Sequence, residues 1–133
     1  MWVRPSIAAA LAMLATLPCL AQAPPARPEQ VLREVVQGLP RGEQQEIQVL
    51  TASILPGQAT AFHTHRFPVT VFVLEGAFTL EMEGRSTVTI IAGQAMVEPP
   101  NVRMTGFNRS AGTTRVVIFY VAEPGTPFLD LIH

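Results

Sequence analysis

Beyond Gly42 the chain is written almost entirely in short apolar segments cut by turn residues, and that rhythm limits what it can become. "EIQVLTASIL" runs into Pro56-Gly57, "TAFHTH" into "RFP", "VTVFVL" into Glu75-Gly76 and "AFTLEME" into Gly84-Arg85. "STVTII", "AMVE", "VRMTGFN" and "TTRVVIFYV" follow, each ending in a cluster that contains Gly, Pro or Asn. Val, Ile, Thr and Phe suit a pleated, half-buried surface, and nothing between the segments is long enough for a crossover helix. About eight such strands at close spacing predict an all-β antiparallel sandwich or barrel of the jelly-roll kind. There is no βαβ pattern, no Gly-rich phosphate loop and no internal repeat, which sets aside dinucleotide and P-loop chemistry.

The residues before this region read differently. "EQVLREVVQGL" spaces Val31, Leu32, Val35 and Val36 as one helical face, and Gly38 and Pro40 would end it. A short N-terminal helix is expected there, as a cap or dimer arm. "QAPPARP" before it is a Pro-rich leader. The opening "MWVRPSIAAALAMLATLPCLAQA" has Arg4, an apolar run from Ile7 to Leu17 and small residues at Ala21 and Ala23, the pattern of a cleaved secretory signal. Cleavage after Ala21 is favoured, because Pro24 would immediately follow a cut after Ala23. The run is shorter than the roughly 20 residues that span a bilayer, so no stable membrane anchor is expected after cleavage. The expected organisation is a signal at 1–21, leader and helix at 22–42, barrel at 43–124 and a C-terminal tail at 125–133, in a periplasmic or secreted protein.

Composition removes several function classes. The length of 133 residues fits one domain. All nine basic residues are Arg and balance ten acids, which argues against nucleic acid as a partner. Without Lys there is no Schiff-base chemistry, and Cys19 is removed with the signal, leaving no thiolate. Three histidines and the single aspartate Asp130 do not make a credible Ser-His-Asp set. Glu81 and Glu83 share a strand face, but beside Gly84-Arg85 they read as an exposed hairpin end.

"FHTHRFPVTVFVLEG" carries the chemistry. Residues two apart on a strand project from one face, so His63 and His65 point into the same space. Imidazole suits Zn, Cu, Fe, Ni and Mn alike; the other reading is a pair hydrogen-bonded into a polar pocket. In "AMVEPP", alternation places Met96 and Glu98 together, either inward near the histidines or as a strand-end surface charge. Arg66 and Arg103 flank these segments as candidate anion contacts or ordinary surface residues, and the terminal His133 is a poor ligand candidate.

The spacing of these segments resembles that of the cupin superfamily of small jelly-roll barrels. Gly57, His63, His65 and Gly76 fall on its first motif, and Gly93, Pro99 and Asn108 on its second, with sixteen residues between. The resemblance implies a cupin barrel, often dimeric, with a metal held by three histidines and a glutamate. Here the glutamate position holds Val69, the last histidine position holds Met104, and Asn101 replaces a glycine. Asn tolerates the left-handed turn better than most residues. The usual four-ligand set therefore cannot form.

Three functions follow as expectations. The first is an exported small cupin, expected to be a homodimer, that binds a metal ion or small ligand through His63, His65 and Met104. Copper is favoured there over Fe, Mn, Zn or Ni because a thioether is a soft donor. Val69, Met96 and Glu98 are its expected pocket neighbours. The second is a metal-dependent dioxygenase or isomerase, with Glu98 completing a two-histidine, one-carboxylate triad. The third is a metal-free module that uses the histidines only to hydrogen-bond a small ligand.

Overall fold

The computed structural model describes residues 21–133. The expected signal lies outside the described residues, apart from Ala21. Nine strands follow one another: β1 (Glu46–Ile54), β2 (His63–Thr64), β3 (Val69–Glu75), β4 (Ala77–Met82), β5 (Val88–Ile91), β6 (Ala95–Glu98), β7 (Met104–Phe107), β8 (Thr114–Ala122) and β9 (Asp130–Leu131). They form two sheets, ordered β1-β8-β3-β6 and β5-β4-β7-β2-β9, and every pairing is antiparallel.

The period-two pattern decides which side chains fill the space between the sheets. On β3, Val69, Val71 and Val73 are buried while Thr70 and Phe72 are only partly covered. Val116, Tyr120 and Ala122 on β8 do the same from the neighbouring strand. Phe78, Leu80, Ile90 and Met104 close the core from the second sheet. Burying a side chain of this kind contributes about 1.5–3 kcal/mol, so the interior holds the two layers together.

Two backbone positions fix tight turns between strands. Gly76 has φ of 79°, and a Cβ there would lie 2.6 Å from the Thr114 hydroxyl oxygen and 2.9 Å from the Thr113 carbonyl oxygen. Only glycine fits between β3 and β4. Asn101 adopts φ of 59°, the left-handed conformation expected of it, and its N–H donates to the His65 carbonyl at 2.7 Å. The turn after β6 thereby ties down the segment that carries His65.

The ends of the chain differ from expectation. Among the described residues there is no helix, and Glu29–Leu39 is irregular chain in which Val35 stays 96% exposed. An isolated helix below roughly 12–15 residues is marginal in water, and Val31, Val35 and Leu39 remain exposed. Conversely, the segment expected as a tail contains β9, which pairs with β2 as Thr64 with Asp130 and His63 with Leu131.

Candidate metal centre

β2 is two residues long, yet it lies between β7 and β9, so the position of His63 is set from both sides. Its ladder partners are Met104 and Leu131. His65, two residues on, is buried on the same face, and the two imidazole rings meet edge to face at 4.7 Å. Glu98 arrives from the other sheet, at the end of β6, with 4% of its surface exposed. Of the two readings open for Glu98, the inward one holds.

Three donor atoms converge. His63 Nε2 lies 3.1 Å from His65 Nε2, which lies 3.1 Å from Glu98 Oε2, and one ligand atom from each residue falls within 4.8 Å of the others. The far side of each ring is already committed. Nδ1 of His63 meets the Ala61 carbonyl at 2.6 Å, and Nδ1 of His65 meets the Phe128 carbonyl at 2.7 Å. A carbonyl only accepts, so each Nδ1 carries a proton, and the two Nε2 atoms are left facing each other and Glu98.

With both rings neutral and Glu98 ionised, such an arrangement lacks a donor. It is relieved by protonating a ring or by placing a cation among the three atoms. Burial lowers the pKa of His63, with the Ala61 hydrogen bond opposing it, the neighbouring His65 lowering it further and Glu98 raising it. The two 3.1 Å separations suit a shared metal ion, since two ligands each about 2.1 Å from an ion and at right angles are about 3.0 Å apart. The Nδ1–H to carbonyl bonds are also the outer-shell contacts that orient metal-binding histidines.

The site opens onto a cavity of about 90 Å³ inside the barrel. Ile54, Val71, Phe78, Leu80, Val116 and Ile118 line it, with Phe128 and Leu129 closing over the His65 side. Met104 is fully buried opposite His63, and Val69 is fully buried opposite Glu98, but neither lines the cavity. Met96 packs against the core and faces a surface groove beside residues 34–38. Arg66 is exposed and forms a bidentate pair with Asp130 at 2.8 and 2.9 Å, while Arg103 reaches Glu83 at 3.7 Å. Glu81 pairs with Arg109, and His133 is exposed.

Residues 50–120 match the sequence profile of the cupin domain. The chain belongs to the cupin family. Among similar solved structures, a double-stranded β-helix protein from Klebsiella pneumoniae aligns with TM-score 0.57 and 20% identity, over 77% of this chain and 91% of that one. An RmlC-like cupin from Methanocaldococcus jannaschii aligns with TM-score 0.55 and 19% identity, over 59% of this chain and 72% of that one. A cupin-like protein from Thermotoga maritima gives TM-score 0.54 and 20% identity, over 65% of this chain and 64% of that one. No protein of curated function matches the sequence significantly. At these identities the likeness concerns the fold.

The cupin frame makes the change at Val69 intelligible. Val69 stands where the family resemblance puts a glutamate, and its ladder partner across to β6 is Glu98. Directly paired residues on one face have Cβ atoms about 4.5–5.5 Å apart. A carboxylate missing from β3 is thus present one strand away. Locating it required the β3–β6 register and the burial of Glu98. The Phe128 carbonyl was also out of reach of sequence reasoning, since a backbone acceptor leaves no side-chain signature.

Proposed function

We propose that this cupin binds a divalent metal ion through His63, His65 and Glu98 and acts on a small molecule at the ion's open positions. The observation that supports it is the convergence of two Nε2 atoms and a buried carboxylate oxygen, one atom from each residue lying within 4.8 Å of the others. Two imidazoles and one carboxylate favour Fe(II), Mn(II), Zn(II) or Ni(II), and they leave room for oxygen or substrate. An ion held there supplies Lewis acidity to whatever group it meets. The protein's own part is to hold both rings by their Nδ1–H bonds, to keep Glu98 dry, and to surround the reacting end of the ligand with apolar walls. Chelator titration of the loaded protein tests it: Glu98→Gln and His63→Ala each lose the ion, and retention by both refutes the triad.

A second reading keeps Met104 as a thioether ligand and copper as the ion. Met104 supports it by being fully buried as the direct ladder partner of His63. Cu(I) affinity that falls in Met104→Leu while Zn(II) affinity holds would favour this reading over the first.

Export and dimer formation belong to the same proposal. The signal-like opening supports export, and cell fractionation with N-terminal sequencing tests it. Ile47 and Val49 are 73% and 60% exposed on the outer face of β1, and Val49 pairs across to the exposed Phe119. An apolar sheet face of this kind suits a second copy. Light scattering is expected to give a dimer that Val49→Glu dissociates, and a wild-type monomer at working concentration would refute it.

A further inference from the structure

We infer that the cavity is built for a short-chain monoanion: a carboxylate head group on the ion, followed by an unsubstituted hydrocarbon tail of about two to three carbons. For its head group the inference rests on the metal reading above. For its tail it rests on the cavity walls alone.

Charge selects the head. A divalent ion with the Glu98 carboxylate and two neutral imidazoles carries one net positive charge, and among the described residues no Arg lines the cavity to accept a further anion. One negative charge brings the buried centre to neutrality. A dianion or a neutral ligand would leave a net charge in an apolar enclosure, which is costly to desolvate. An ammonium group on the same ligand would find no partner beyond Glu98, so free amino acids are disfavoured.

The walls select the tail. Beyond the ligand set, among the described residues, the only side-chain hydroxyl lining the cavity is Thr60, and its oxygen already accepts the Gly106 N–H at 2.8 Å. A tail with hydroxyl or amide substituents would bury them unpaired. A water takes up about 30 Å³, and a cavity of roughly 150 Å³ admits benzene; about 90 Å³, shared with the head group, therefore suits about two to three methylene-sized groups and is less than an aromatic ring needs. Sugars, nucleotides and aromatic acids do not fit.

The test uses the full mature chain loaded with Co(II), whose visible absorption reports ligands entering its coordination sphere. Acetate, propionate, butyrate, hexanoate, benzoate and alanine are titrated as probes. Affinity should rise about fourfold per methylene up to butyrate, then fall at least tenfold for hexanoate and benzoate, with alanine weaker than propionate. Val116→Ala, checked for folding by circular dichroism, should move the optimum to a longer chain. Stoichiometric Co(II) with a series flat in chain length, or with benzoate as tight as butyrate, overturns this inference and leaves the metal reading standing. Failure of Co(II) to load overturns the metal reading and the head-group assignment together.

Discussion

Moving the carboxylate across the ladder is the most demanding trial of the site. Glu98→Gln preserves the size of the side chain and removes only its charge, so the loss in metal affinity isolates the buried anion. Removing one partner of a buried, paired charge costs about 3–5 kcal/mol, which corresponds to a drop of about two to three and a half decades in affinity. Glu98 is 4% exposed and 3.1 Å from His65 Nε2, so little of that effect should be lost to solvent screening. Val69→Glu is then added to Glu98→Gln. Because Val69 and Glu98 are direct partners in the β3–β6 ladder, the new carboxylate enters the same space, and affinity should recover to within about tenfold of wild type. Competition against a chromophoric chelator measures all three proteins under one set of conditions. A fall of less than tenfold in the single variant would refute Glu98 as a ligand. A double variant no better than the single one would refute the proposed relocation.

Other consequences can be checked separately. Gly76→Ala forces a positive φ on a residue with a Cβ and drives that Cβ into Thr114; a loss of about 2–5 kcal/mol by urea unfolding is expected, and a loss under 1 kcal/mol would contradict the close approach. The Arg66–Asp130 pair clamps β9 over His65, and Arg66→Ala should speed hydrogen exchange at Ile132, whose N–H donates to the Phe62 carbonyl, while β3 and β8 stay protected. The hydrogen bond from Arg66 holds the Asp130 pKa below its ordinary value. The clamp is therefore complete above about pH 4 and is lost as pH falls through that lowered value. Exchange at Ile132 should accelerate in acid beyond its intrinsic pH dependence in wild type and not in Asp130→Asn; equal profiles would contradict the clamp.

Eight of the nine strands could be read from the amino-acid order, because alternation and turn residues are local signals. "VTVFVL" reads as a strand, but both of its faces carry apolar residues, and it is the structure that shows Val69, Val71 and Val73 as the buried set. β9 escaped because two residues of "FLDLI" carry no alternation, and only pairing with β2 makes them a strand. Glu29–Leu39 has helical spacing but runs as irregular chain beside a groove of the barrel, so periodicity alone misled there. His63 and His65 were visible as a pair because both sit on one short stretch. Glu98 was visible only as an ambiguity: its burial depends on His65 lying across the barrel, a contact between residues 33 positions apart. Met104, chosen for its place in the motif, is buried beside the pair, and its part in metal binding is a matter for the Cu(I) comparison.

The central claim is that His63, His65 and Glu98 hold one ion. The most direct measurement is elemental analysis of the untagged chain after separate loading with Fe(II), Mn(II), Zn(II), Ni(II) and Cu(I) and removal of excess metal. The account predicts about one divalent ion per chain, lost in His63→Ala and in Glu98→Gln. A wild-type protein that retains none of these ions, or retains one equally in both variants, would contradict it.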